Sequence, residues 1–478
     1  MKTIPDRRYW LAAVWLLVTF PCEARLNDLI SPLHRSSHLQ SIDHDTRTAL
    51  GQTDMLFHAI RYRNRVVAEK WIRLTDNINQ HNGFGTTPLF LAVQNNMPEV
   101  AEQLLQEGAY PDALRKDGFG PLHVAAQEGY VRAIDLLLQY GADIDARDQH
   151  GQTPLMLAAT LATTPVLELL LQQGATTDLQ RNDGATALYL ATQAGRLNNI
   201  RLLIRYGADL NQPGVHGATP LIMATEKGEI DVVKDLLRSG SSPDQENDSG
   251  DTALMQAAAR GYAEIASILI KAGAEVNHEN REANTALYLA SQNGFINIVR
   301  ALIEAGAKVN HTDTLLNTPL MAAAMNGHVD IIRFLLESGA NIELQNKNGR
   351  TPLMIAAAFG QAEAVKTLIE NGAKINIQAT TDGMTALLFA VNGQNTRIAE
   401  YLLQHGAEAN IATHSGFSPL HLAVLNKQIL LVKLLLSHDA DPHLKTAAGE
   451  SALDIAQRIH TKEIMEVLEH FQKEDGKE

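Results

Sequence analysis

One short block of residues recurs along this chain at near-constant spacing, and it constrains the fold more than any other feature. The block reads Thr-Pro/Ala-Leu-x followed by small residues, and it starts at Thr87, Gly120, Thr153, Thr186, Thr219, Thr252, Thr285, Thr318, Thr351, Thr385, Ser418 and Ser451. Ten of the eleven intervals are 33 residues, and the step from Thr351 to Thr385 is 34. Stepping back 33 from Thr87 reaches Asp54-Met55-Leu56-Phe57-His58-Ala59-Ile60, a degenerate thirteenth copy. A length of 478 residues alone suggests three domains at roughly 150 residues each. The unbroken period replaces that expectation with one continuous array, because a single 33-residue module cannot bury its own apolar stripe and must share it with its neighbours.

Each module reads as two short helices and a connecting segment. Thr, Ser or Gly at the landmark suits an N-cap, and the Pro that follows in seven modules suits the first helical position, where its missing N–H costs nothing. Glycine nine residues after the landmark, as at Gly129 and Gly327, ends the first helix by taking a positive φ. The second helix carries paired apolar residues, such as Ile331, Ile332, Leu335 and Leu336, which form one wide buried stripe. It stops at a second glycine in ten modules from Gly108 to Gly406; Asp439 takes that place in the eleventh. The extra residue between Ala373 and Met384 reads as a longer tip.

At these residues the chain resembles the ankyrin repeat family. Gly118-Phe119-Gly120-Pro121-Leu122-His123-Val124-Ala125-Ala126 and Leu136-Leu137-Leu138-Gln139-Tyr140-Gly141-Ala142-Asp143-Ile144-Asp145 both fit its pattern, and the resemblance covers residues 52–472. It implies an all-α repeat solenoid of stacked helix–helix–β-hairpin units. It also implies a concave side, lined by hairpin tips and the exposed ends of the first helices, where members of the family usually hold protein partners.

The remaining chain divides into a signal peptide over residues 1–24, a polar linker over 25–51 and a charged tail over 473–478. Lys2, Arg7 and Arg8 precede an apolar run from Tyr9 to Phe20, and Cys22-Glu23-Ala24 offers small residues for cleavage after Ala24. Twelve apolar residues fall short of the roughly 20 that span a bilayer. The expectation is therefore export, periplasmic or secreted, with no membrane span once the signal is removed. Anchoring by residues 9–20 is the alternative. The single cysteine, Cys22, excludes an internal disulfide framework and any multi-cysteine metal site.

Few functional classes survive this reading. Forty Lys and Arg against 54 Asp and Glu, a formal charge of -14, argue against nucleic acid as a partner. No phosphate-cradling glycine loop and no Gly-x-Ser-x-Gly elbow is present, and no cofactor is expected. His123 and His421 occupy a slot filled elsewhere by Phe90, Met156, Tyr189 and Met321, so they read as packing residues. His34, His38 and His44 with Asp43 and Asp45 have metal-ligand spacing on a helical face but lie in the polar linker, and solvation is the better account. Arg61, Arg63, Arg65, Lys70 and Arg73 in the degenerate module read as the solvated face of an end cap, with an acidic partner or a lipid headgroup as the alternative.

The expected function is a non-enzymatic, monomeric protein–protein interaction scaffold. The alternatives are a secreted effector that engages host proteins and, in another class, an enzyme with its active site in the groove. Variation on the unpacked surfaces marks the candidate contacts. Along the strip seven and eight residues after each landmark, the second half carries Met325, Phe359 and Leu425, which are plausible anchors. Most tips offer Asp-Gly or similar turn residues, but the eighth reads Thr314-Leu315-Leu316-Asn317; Leu315 and Leu316 either fold back on the adjacent tip or touch a partner. Phe84, Phe119 and Phe417, ahead of the landmark, are assigned to structure because they match a position the family fills with aromatics.

Overall fold

A computed structural model describes residues 51–475. The proposed signal peptide, the linker with its histidines up to residue 50, and the last three residues of the chain lie outside the described residues. Among those described there are twenty-six α-helices in thirteen pairs, from Gln52–Arg61 to Lys462–Asp475, and no strand. The helices begin where the landmark puts them. Pro319–Asn326, for example, starts one residue after Thr318, whose hydroxyl accepts from the Met321 amide at 3.2 Å. The same cap recurs at Thr87, Thr186, Thr285 and Thr385, among others. Gly129, Gly228, Gly261 and Gly327 end their first helices in the left-handed region. Four of the modules that lack the glycine hold the same positive φ at Asn96, Gln394, Lys427 and His460, and the module of Thr153, with Ala162 there, does not. Asp439, at φ 60°, does so at the end of a second helix. A β-carbon is tolerated there at a cost of about 1–2 kcal/mol.

The principal helix contacts run within a module and to its immediate neighbours, first helix against first helix and second against second. One apolar core results, continuous from Leu56 to Leu468 and built largely from Leu, Ala, Ile and Val. The alanines in the second turn of the first helices, such as Ala290, Ala323 and Ala356, are fully buried. Their small size lets adjacent first helices approach closely.

The hairpins differ from expectation in one respect. The tips are tight turns rather than pairs of strands, and six of the twelve, at Asn82, Asp148, Asn247, Asn280, Asp313 and Asn346, are closed on themselves by an Asp or Asn side chain. Asp148 Oδ1 accepts from the amides of His150 and Gln152, and Asn346 Oδ1 accepts from Asn348 and Arg350. Adjacent tips then share a single backbone bond, as from Thr314 N–H to the Glu282 carbonyl and from Lys347 N–H to Leu315. One bond per neighbour makes a chain of turns, not a β-ladder. The extra residue after Ala373 lengthens its tip: Ala379 pairs with Met384 five residues on, whereas Asn346 pairs with Arg350 four residues on.

Three polar devices hold the modules in register. An Asn or Asp in the connecting segment accepts the backbone amide of the next module 31 residues later, as Asn277 does from Lys308 at 2.8 Å and Asn310 from Asn341 at 2.7 Å. Asn277 and Asn310 also donate from Nδ2 to the carbonyl at the end of the next second helix, Gly306 and Gly339, at 3.1 Å. A side chain at the start of a second helix also reaches the end of the preceding first helix. Arg196 donates to the Thr160 carbonyl at 2.8 Å and Gln361 to that of Met325 at 3.1 Å, and the His328 ring reaches that of Gln292 at 3.1 Å. Finally, Asn199 stands in a column otherwise apolar, occupied by Val166, Val232, Ile265 and Ile298. It is 1 % exposed, and its Nδ2 donates to the carbonyls of Ala159 and Leu161 at 3.0 and 2.9 Å. The helix Pro154–Ala159 lacks a terminal glycine and is followed by Pro165, which has no N–H to offer the Leu161 carbonyl. Asn199 supplies the missing donor.

Candidate partner-binding surface

The tips and the exposed ends of the first helices lie side by side, and a groove of about 620 Å³ runs between them over the sixth, seventh and eighth modules. Asp248, Asp251, Glu282, Asp313 and Leu315 reach it from the tips, and Ala259, Tyr288 and Gln292 from the first helices. Burial pushes the Tyr288 phenol up to about 12, with the Asp313 carboxylate and then Glu282 adding to the effect. A second groove lies at the N-terminal end between Phe57, Tyr62, Phe84, Arg61 and Arg115.

Leu315 and Leu316 are 55 % and 47 % exposed at the apex of their tip. Leu316 has φ 60° in a register position held by glycine at Gly250, Gly349, Gly383 and Gly416. Its own geometry therefore costs energy, and the site gains only half the burial a leucine offers. Phe359 is 56 % exposed at the end of the helix Pro352–Ala358. Met325 is partly buried, and Leu425 is partly buried against the core. Of the five proposed anchors, only Leu315 lines the acidic groove.

One assignment needs correction. Phe119 and Phe417 pack near the rings of His123 and His421, with centroids 5.0 and 6.2 Å apart. Phe84 does not pack in this way and is 77 % exposed. It stands three residues before its landmark, at the apex position that Leu315 occupies in the eighth module, whereas the other two stand one residue before theirs. A side chain at the apex points away from the stack.

The two buried histidines are helix caps. His123 Nδ1 accepts the Gly120 amide at 3.1 Å, and its Nε2 lies 3.0 Å from the Gln152 carbonyl. His421 Nδ1 accepts the Ser418 amide at 3.1 Å. Burial holds both imidazoles below the ordinary histidine pKa, so they are neutral at pH 7. In the basic end module, Arg65 pairs with Glu69 at 2.6 Å, while Arg61 turns into the N-terminal groove. Among the described residues no group of three or more His, Cys, Asp and Glu side chains could hold a metal ion, and no helix is long and apolar enough to cross a membrane.

These features define a repeat solenoid of helix pairs with a groove along its tips. The family model for ankyrin repeats matches residues 56–148, 145–214, 221–313, 313–379 and 376–446, and the chain belongs to the ankyrin repeat family. Ankyrin repeats are generally protein–protein interaction modules, and members of the family are typically non-enzymatic scaffolds. Among solved structures the chain is similar to the crystal structure of the human ASB11 ankyrin repeat domain. The two are 27 % identical, with 46 % of this chain and 98 % of that one covered, at a TM-score of 0.43. No curated protein matches the chain.

Proposed function

We propose that this protein is a non-enzymatic scaffold that binds a partner protein through its tips and the exposed ends of its first helices. One observation carries the reading. Leu316 holds a left-handed backbone at an exposed apex where ten other modules have glycine and one, at Ala283, has the smallest side chain. A local cost with little packing in return points to a role outside the fold. Leu315 beside it, and Phe359 one module further, add exposed apolar surface to the same side, as an interface core needs. The chain acts as a monomer, and Met325 and Leu425 contribute at the margin through their exposed edges.

Affinity capture with mass spectrometry, comparing the parent with a Leu315→Ser/Leu316→Ser variant, tests this. The variant is expected to retain its thermal unfolding midpoint and to lose most of the captured partner. A large fall in midpoint would instead make the leucines packing residues.

Export is the second part of the proposal, and it rests on Lys2, Arg7, Arg8, the apolar run 9–20 and the small residues ending at Ala24. N-terminal sequencing of the product made in its own cell should begin near Arg25; an intact Met1 would sink the cleavage.

A further inference from the structure

The acidic groove over modules six to eight differs from the rest of the array in how its carboxylates are partnered. Elsewhere along the tips, Asp117 pairs with Arg115, Asp183 with Arg181 and Asp382 with Arg350, and Asp148 is a single carboxylate held by backbone amides. In the groove, among the described residues, Asp248, Asp251, Glu282 and Asp313 form no ion pair. Asp251 accepts from the neutral amides of Asn280 and Gln256 at 2.8 and 3.0 Å. Asp313 accepts from two backbone amides and from Asn317. Neutral donors orient a carboxylate without cancelling its charge. Arg281 is the one basic side chain in the lining, so the groove carries a surplus of about three negative charges.

A second feature points to an occupant. Asn284 is part of the groove lining, 8 % exposed, and donates from Nδ2 to Glu282 at 3.1 Å. Its Oδ1 is buried and accepts no hydrogen bond. A buried acceptor without a donor is unfavourable, and an N–H brought in by an occupant of the groove recovers that cost. Leu315 stands at the rim of the same groove. The surface therefore presents spaced negative charge and an apolar edge, with an acceptor lacking a donor in the groove wall beneath them. The carboxylates do not converge on one point, so the complement is an extended polycation and not a single metal ion.

We propose that this groove binds a Lys- and Arg-containing extended segment of a partner protein, with an apolar residue of that segment seated on Leu315. The inference rests on the reading of the tip face as the partner surface and gives that partner its chemical class. Among the described residues, only at these three modules do several bare carboxylates share one groove, so the segment is selected there. Such recognition is electrostatic at the encounter, and salt weakens it.

The test uses the full chain and a short fluorescein-labelled peptide of Lys, Arg and Leu in a Gly-Ser background. Its counterpart carries Glu at every basic position. Fluorescence anisotropy should show saturable binding of the basic peptide, weakened by added salt, and none of the acidic one. Asp248→Asn with Glu282→Gln removes two exposed charges and is expected to weaken binding at least tenfold, with the thermal midpoint unchanged. Glu363→Gln, on a second helix away from the groove, should leave binding as it was. Equal binding of both peptides, no binding of the basic peptide, or insensitivity to the double substitution would overturn the inference. The broader reading fails separately. If the double variant still captures the natural partner while Leu315→Ser/Leu316→Ser does not, the tip face stands and the basic segment falls. If neither variant affects capture, both fall.

Discussion

Replacing Asn199 with valine sets two lines of reasoning against each other. Every other residue of the column is apolar, Val100, Val166 and Val232 among them, so a rule based on the column's character predicts a more stable protein. The structure predicts the reverse. Valine removes the donor from the Ala159 carbonyl, which is buried, and from the Leu161 carbonyl, which is partly so. A buried carbonyl left without a partner costs about 1–3 kcal/mol, and the half-exposed one costs about 1 because water can replace the lost bond. Burying the valine side chain returns about 1.5 kcal/mol. The net loss is about 1–2 kcal/mol, placed at the junction of the third and fourth modules. Because contacts in a solenoid are between nearest neighbours, the effect should be local. Amide hydrogen exchange read by mass spectrometry should show the helices Pro154–Ala159 and Leu197–Arg205 exchanging about tenfold faster, with the modules beyond Thr285 unchanged. The urea midpoint should fall as well. Exchange as slow as in the parent, or slower, would refute the assignment of Asn199 as the missing helix cap.

Two further expectations concern the histidines and the strained tip. Burial lowers the pKa of His123 and His421 in the folded state below the unfolded value of about 6.5, so the unfolded chain binds more protons. Their contribution is complete above that value and is lost as pH falls through it toward the folded pKa. Thermal midpoints should drop below about pH 6.5 more steeply in the parent than in a His123→Met/His421→Met variant, which uses the residue found in that slot at Met156 and Met321. Equal slopes would remove the histidines from the account. Leu316→Gly relieves the left-handed strain but loses half a leucine's burial and loosens the unfolded chain, so the unfolding free energy from urea titration should move by less than about 1 kcal/mol. Partner capture should still weaken, and a variant that captures as well as the parent would show that Leu316 is not a contact.

Much of the fold was legible because its causes are local. A Thr before a Pro, a glycine at a fixed offset and an apolar stripe each act over a few residues, so helix starts and ends follow from the chain. Asp439 and the added residue before Met384 were legible as departures from an otherwise regular pattern. The site was less so. Leu315, Leu316 and Phe359 could be marked because apolar residues stand out where polar ones are usual. Phe84 was misplaced because its offset from the landmark differs by two residues from those of Phe119 and Phe417, and that offset decides between apex and stack. The Asn and Asp that accept amides 31 residues away repeat with the period, yet look like ordinary turn residues until the next module is laid beside them.

The twelve evenly spaced landmarks settle by themselves that this chain is a stacked array of helix pairs, since repetition leaves every module the same apolar face to bury and only a neighbour to bury it against. Stacking decides the rest. Whether an Asp is cancelled by an arginine or left bare, whether Asn199 is a flaw in a core column or the cap of another module's helix, and which leucine meets solvent all depend on side chains brought together from different modules. Charge and exposure belong to such neighbourhoods, and the acidic groove over modules six to eight exists only where three of them meet.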